Sequence, residues 1–268
     1  MSKINSYPNI SNDLKEKILS MYKASMQEDS DKYSFSETKD NYQEIDSLYC
    51  YEKDNEILGF INLFTPNQNE YYLYPFVHPD HRNTGIFKEL LNHIIKELKK
   101  IPAKKTDTYQ TPVFMLPLMK ECKNFNEVSK IYNDLTKGQK EIELLMSINL
   151  TKDMYTPTKD IYITRTFPEE NQIVSKIIKK ETHETVGYFS TSLFEDKSTC
   201  MTRVFVKPEY RRKGYATEGI GLMLNYLARK EYNKVILNVT GSNEKAIGLY
   251  DKLGFTVVSE EHFYIYSN

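Results

Sequence analysis

Two apolar stripes of helical period organise the chain. Phe87, Leu90, Leu91, Ile94, Ile95 and Leu98 recur at offsets 0, 3, 4, 7, 8 and 11. Ala216, Ile220, Met223, Leu224 and Leu227 recur at 0, 4, 7, 8 and 11. Each spacing predicts an amphipathic helix with one buried face. A strand-like segment follows each stripe, Val113–Leu118 and Lys234–Val239, and apolar, aromatic runs precede it. Strands alternating with helices predict an α/β class with a mixed sheet.

The pattern repeats. Glu56-Ile57-Leu58-Gly59-Phe60-Ile61 and Glu184-Thr185-Val186-Gly187-Tyr188-Phe189 each open a strand after a polar turn. Val77-His78-Pro79-Asp80-His81-Arg82-Asn83-Thr84-Gly85 matches Val206-Lys207-Pro208-Glu209-Tyr210-Arg211-Arg212-Lys213-Gly214, both reading V-x-P-(acid)-x-R-x-x-G. Gly59 to Gly85 spans 26 positions and Gly187 to Gly214 spans 27, so two features repeat at matched separation. The polar stretch Thr151–Pro157 marks the join, giving expected domains 1–152 and 153–268. The copies are unequal. The first carries an extra helical segment, Asn12–Gln27, before its first clear strand. The second passes from Ile161–Thr164 almost directly into Ile173–Ile178.

Composition narrows the function. The 268 residues are 40% hydrophobic and 27% charged, the profile of a globular protein. Their 36 basic and 37 acidic side chains give no electrostatic footprint for nucleic acid or an anionic membrane. Lys96, Lys99, Lys100, Lys104 and Lys105 are locally basic and read as a solvated helix end. Cys50, Cys122 and Cys200 form no CxxC pair, His78 and His81 suit a turn better than a metal, and no metal is expected. The N-terminus lacks an apolar signal region and no 18-residue apolar run occurs, so a cytoplasmic protein is expected. Oligomeric state is left open.

Candidate chemistry sits in the second copy. Arg211-Arg212-Lys213-Gly214-Tyr215-Ala216 lies between the strand Thr202–Val206 and a helix N-terminus. Such a turn aims backbone N–H groups at an anion, typically phosphate, with the helix dipole behind them. An ordinary strand-to-helix turn with exposed basic residues has the same sequence. A second element, Asn243 to Phe255, reads as turn, short helix and strand, with Asn243 a good N-cap and Gly254 a good C-terminal cap. The plain alternative makes Asn243 only a cap and Tyr250 only a core aromatic. Gly219-Ile220-Gly221 lies inside the helix, not before it, which discounts a dinucleotide motif.

Together the two elements resemble the GNAT superfamily of N-acetyltransferases. Arg211, Gly214 and Ala216 match the family's (Q/R)-x-x-G-x-(G/A), preceded by Val206 and Pro208. Asn243, Ala246, Tyr250, Gly254 and Phe255 match its N-x-x-A-x-x-x-Y-x-x-x-G-F. Arg212 departs from the family where a second glycine is common. The resemblance is strong over residues 160–268 and implies tandem GNAT-like acyl-CoA N-acyltransferase folds. The first copy is degenerate: it keeps Arg82 and Gly85, places Phe87 at the small position, has no readable second motif, and has Pro112 and Pro117 flanking its fifth strand.

The resemblance further implies a sheet split between its fourth and fifth strands, with a bulge helping to open it. Acetyl-CoA, as co-substrate, would lay its pantetheine along Val204, Phe205 and Val206. Its pyrophosphate would meet Arg211, Arg212, Lys213, Gly214, Tyr215, Ala216 and Thr217, and Asn243 would approach the arm. A small-molecule or peptide primary amine would attack directly. Such an amine, of pKa about 10.4, must first lose a proton. A fourth-strand backbone N–H would stabilise the oxyanion. The leaving thiolate, of pKa about 8.5, could take a proton from the hydroxyl of Tyr250, the expected general acid. No general base is identified; Glu195 and Asp196 end a strand and could work through water, although such a pair is more often a solvated strand end. A non-catalytic acyl-CoA-binding or regulatory protein is the alternative. Because the second copy lacks helices between its first two strands, its acceptor side needs cover from elsewhere in the chain.

Overall fold

The computed structural model describes residues 2–7, 11–29, 47–66, 69–100, 113–120, 122 and 124–266. Lys104, Lys105 and Pro112 lie outside the described residues. The chain forms two compact units, Met1–Glu141 with Glu261–Asn268, and Ile142–Glu260.

The first unit holds β1 (Lys3–Tyr7), α1 (Asn12–Asp29), β2 (Leu48–Lys53), β3 (Glu56–Phe64), β4 (Glu70–Val77), α2 (Ile86–Leu98), β5 (Val113–Met119) and α3 (Phe125–Thr136). The chain continues through β6 (Lys140–Asn149), β7 (Ile161–Glu169), β8 (Gln172–Lys179), β9 (Thr185–Leu193), β10 (Ser198–Val206), α4 (Tyr215–Arg229), β11 (Lys234–Thr240), α5 (Glu244–Lys252) and β12 (Thr256–Tyr266).

In the first unit the strands run β1-β2-β3-β4-β5, and the end of β12 closes the row antiparallel to β5, Glu261↔Met119 through Tyr266↔Phe114. In the second they run β6-β11-β10-β9-β8-β7. Each row is completed by a strand that follows the other half in sequence. The sequence boundary at 152/153 keeps all of β6 with the first half, whereas compact packing groups Ile142–Asn149 with the second unit and Glu261–Tyr266 with the first.

The predicted stripes face the cores. Leu90, Leu91, Ile94, Ile95 and Leu98 of α2 pack on Ile61, Leu63, Leu73 and Leu116. Ile220, Met223, Leu224 and Leu227 of α4, each at most 1% exposed, pack on Ile173, Phe189, Met201 and Val235. Each fully buried aliphatic side chain of this size contributes about 1.5–3 kcal/mol. In the first unit α1 forms a separate core, with Leu14, Ile18 and Met21 against Leu48, Cys50, Phe60 and Phe76. The second unit has no helix between β7 and β8. No helix of the described residues is long and apolar enough to cross a membrane.

Candidate active site

The centre of each unit is a parallel strand pair that soon parts. β10 pairs β11 only at Ser198↔Lys234, Thr199↔Val235 and Cys200↔Ile236. Among the described residues β4 pairs β5 at Glu70↔Val113, Tyr71↔Phe114 and Tyr72↔Met115. Beyond its three rungs the edge of β10 that faces β11 leaves the ladder and can pair with something else. Val204, Phe205 and Val206 lie on the parted end of β10.

That end is bulged. β10 pairs Phe205↔Tyr188 and then Thr202↔Ser190, so Arg203 and Val204 together oppose the single residue Phe189. Arg203 takes φ 55°, the left-handed geometry that a bulge residue can require. Gly187 lets the distorted strand approach: a Cβ there would lie 2.5 Å from the Phe205 carbonyl oxygen.

The chain leaves β10 through a one-turn 3-10 helix, Pro208–Tyr210, and enters the turn predicted to meet phosphate. Arg212 has φ 55° and Gly214 φ 80°, so backbone direction reverses twice before α4 begins at Tyr215. The N–H groups of Tyr215, Ala216 and Thr217 belong to the first turn of α4, whose donors have no partner within the helix. Arg211 Nε donates to the Val206 carbonyl at 2.9 Å, and its guanidinium lies 5.7 Å from the Phe205 ring. Arg211, an exposed residue, therefore braces the turn against β10. Lys213 Nζ stands 5.6 Å from the Tyr210 ring centroid, and Tyr215 meets Tyr210 edge-on at 5.8 Å. Tyr210 in turn donates to Glu184, which holds that carboxyl below its usual range.

The other arm brings Asn243 and Tyr250. Asn243 Oδ1 accepts from the Ala246 N–H at 3.2 Å and so caps α5. Tyr250 is 6% exposed and packs 5.8 Å from Phe255. Burial raises its phenol pKa, keeping the proton on the ring. Glu195 and Asp196 sit elsewhere. Asp196 Oδ1 accepts from Ser198 N at 2.9 Å and Ser198 Oγ at 2.6 Å, which lowers its pKa and fixes the β9–β10 turn. That turn is separated from Val206 by the length of β10, roughly 25 Å.

Sequence reasoning missed two contributors. Lys159, just before β7, crosses the Gly214 turn: a Cβ on Gly214 would lie 2.7 Å from Lys159 Cε. Glu218, 1% exposed in the first turn of α4, accepts from Thr158 N at 2.8 Å. Lys159 lies in no repeated motif; Glu218 stands four residues after Gly214 as Glu89 stands four after Gly85, on the helix face opposite the apolar stripe, so nothing local marked it as buried. The glycines of Gly219-Ile220-Gly221 serve packing. A Cβ at Gly219 would fall 2.7 Å from Ile177, and one at Gly221 2.3 Å from the Tyr155 ring.

The first unit repeats the turn without the surroundings. Asn83 has φ 61° and Gly85 φ 93°, and Arg82 Nε points at the Val77 carbonyl at 3.5 Å. His78 caps its 3-10 turn by accepting from the Asp80 N–H at 3.3 Å. β4, however, pairs β3 without a shift from Gly59↔Val77 to Phe64↔Tyr72. Pro75 occupies the place of Arg203 and Val204, and proline has no N–H to offer. Ile131 stands seven residues after Asn124, as Tyr250 stands seven after Asn243. Ile131 and Phe87 line a cavity of 360 Å³ beside Arg82, Gly85 and Tyr132.

A split sheet, a bulged strand and a helix-opening turn define the class of acyltransferases. The chain matches the Acetyltransferase (GNAT) family over residues 15–109 and 143–255, and it belongs to that family, with one copy in each half. It is 41% identical over 59 residues to the spermidine N(1)-acetyltransferase of Escherichia coli strain K12, a match covering 22% of this chain and 32% of that protein. The chain thus spans about a third of the length of the curated relatives it matches. Among solved structures, a GCN5-related N-acetyltransferase from Sphaerobacter thermophilus is similar at TM-score 0.68 and 12% identity, covering 100% of this chain and 96% of that one. A tandem GNAT protein from the clavulanic acid biosynthesis pathway is similar at TM-score 0.65 and 11% identity, covering 99% and 98%. At these identities the structural likeness concerns the fold.

Proposed function

We propose that the chain transfers an acetyl group from acetyl-CoA to a primary amine at the parted end of β10 in the second unit. The bulge at Arg203–Val204 carries this reading. It breaks pairing to β9 beside the opening and sets two residues, Arg203 and Val204, opposite one, whereas the matching strand of the first unit has Pro75. The residues suit the co-substrate: the Gly214 turn and the first turn of α4 offer donors for its phosphates, and the free edge of β10 offers peptide groups for its amide-bearing arm. When bound, acetyl-CoA supplies the activated acyl group.

This chain's own residues then orient and exchange protons. The Val204 N–H polarises the acyl carbonyl. Arg211 holds the turn in register with β10. Tyr250, kept protonated by burial, delivers its proton to the departing sulfur. The first unit keeps the fold and has Pro75 in place of the carbonyl donor and Ile131 at the position of Tyr250, so it is read as catalytically silent.

The acceptor is an amine, and the similarity to a spermidine acetyltransferase puts polyamines on the test panel. The experiment incubates full-length protein with acetyl-CoA and, separately, spermidine, an amino sugar, amino acids and short peptides, and follows free thiol. Amine-dependent thiol release is the expected result. Calorimetry showing that the chain does not bind CoA would sink the proposal.

A further inference from the structure

We infer that Lys159 is a further contact for the phosphates of the coenzyme, held over the Gly214 turn by a strap pinned to a buried carboxylate; this rests on reading residues 211–217 as the phosphate turn. The strap is the segment Asp153–Lys159, which runs along α4 before β7 begins. Glu218 is its anchor. This carboxylate accepts from Thr158 N at 2.8 Å, Thr158 Oγ1 at 2.9 Å and Tyr155 OH at 3.1 Å. Burial and the bond to Glu218 push the Tyr155 phenol up to about 12, so it remains a donor throughout the neutral range.

Further along, Tyr155 N donates to Asn225 Oδ1 at 3.1 Å and Asn225 Nδ2 returns a bond to Tyr155 O at 2.6 Å. The Tyr155 ring rests on the bare backbone of Gly221. Arg229 pairs with Asp153 at 2.7 Å. On the far side the Ile161 N–H donates to the Lys159 carbonyl at 2.9 Å. The backbone on both sides of Lys159 is therefore tied down.

That anchoring aims the side chain. Cε and Nζ of Lys159 lie 2.7 and 3.7 Å from where a Gly214 Cβ would be, and Nζ stands 5.9 Å from the Tyr215 ring centroid. Among the described residues Lys159 has no carboxylate partner. An unpaired ammonium beside outward N–H groups at a helix N-terminus adds to the same anion-attracting field. Because its backbone is ordered before binding, less freedom is lost on contact. Among the described residues the first unit shows no such arm: none of them lies within 4 Å of a Cβ on Gly85. A strap built over one of two equivalent turns points to a task at that turn.

The test is calorimetry on the full-length chain with two probes, CoA and phosphate-free pantetheine. Lys159→Ala should weaken CoA roughly 10-fold, the scale of one charge-assisted hydrogen bond, and leave pantetheine unchanged. Lys159→Arg should restore most of the CoA affinity, and the gap between wild type and Lys159→Ala should narrow at high salt. Unchanged CoA affinity in Lys159→Ala overturns the inference alone. Equal weakening of both probes assigns Lys159 a structural part and also overturns it. Failure of the wild type to bind CoA removes the proposed function and this inference together.

Discussion

In the first unit Phe60 and Phe76 stack at 4.8 Å between ring centroids; in the second, Tyr188 and Phe205 occupy the same register and stack at 5.1 Å. The rings differ in what covers them. Phe60 is fully buried under α1, with Tyr22 set edge-on to Phe76 at 5.4 Å. Tyr188 is 44% exposed, because no helix separates β7 from β8. The same sheet face is structural in one copy and open beside the bulge in the other. The turn into the following helix is nearly the same in both, with left-handed residues at Asn83 and Gly85 or Arg212 and Gly214. On the proposed function, a shared turn does not make a shared activity. The copies differ in the bulge at Arg203–Val204 against Pro75, in Tyr250 against Ile131, and in an uncovered face.

The sharpest way to break that comparison is to place a carboxylate on each turn. Gly214 and Gly85 both hold positive φ, so glutamate costs each about 1–2 kcal/mol of backbone strain. Gly214→Glu should abolish CoA-dependent thiol release, and Gly85→Glu should leave it within about twofold once folding is checked by circular dichroism. Equal losses would make both copies catalytic. Next in size is the phenol. Tyr250→Phe keeps the ring against Phe255 and removes the proton, so kcat should fall about 100- to 10,000-fold with CoA affinity unchanged. An unaltered kcat where chemistry limits turnover would return Tyr250 to a packing role.

Stability should invert the ranking of the stacked rings. Phe60→Ala empties a sealed site between α1 and the sheet, which typically costs about 3–5 kcal/mol. Tyr188→Ala removes a half-exposed ring and should cost less than about 1.5 kcal/mol. Urea titrations measure both. Matching losses would show that Tyr188 is as structurally necessary as its buried counterpart.

The repeat, both long helices and the strands around them were legible because hydrophobic period and turn chemistry are local. The V-x-P-(acid)-x-R-x-x-G segment fixed a strand end, a 3-10 turn and a helix start within a few residues. Three features were not legible, each for a long-range reason. The closing of the first unit's strand row by β12 depends on pairing between Glu261–Tyr266 and residues more than 140 positions earlier. The φ of 55° at Arg203 is imposed by mismatched register with β9, since nothing in Thr202-Arg203-Val204 favours it locally. Lys159 gains its place from Glu218, about 60 residues away, and a lysine in a polar stretch carries no mark of that.

The smallest expected contrast lies at the glycines beneath the two fourth strands. Gly187 and Gly59 occupy the same register, opposite Val206 and Val77. A Cβ on Gly187 would lie 2.5 Å from the Phe205 carbonyl oxygen, with Val206 Cγ2 at 3.2 Å and Ile177 Cδ1 at 3.3 Å. The nearest atom is backbone, so the strand just past the bulge must move. A Cβ on Gly59 would meet Ile86 Cγ2 at 2.7 Å, and its backbone neighbour, the Phe76 carbonyl oxygen, only at 3.3 Å. There a side-chain rotation relieves most of the clash. Gly187→Ala should therefore cost about 1–3 kcal/mol, the usual range for overpacking, and Gly59→Ala should sit at the low end of it. Gly187→Ala should also lower kcat, because the displaced segment carries the Val204 N–H. Thermal melts with thiol-release assays on both variants decide the matter. A Gly187→Ala protein of wild-type stability and turnover would show that the bulge is not held by this close approach.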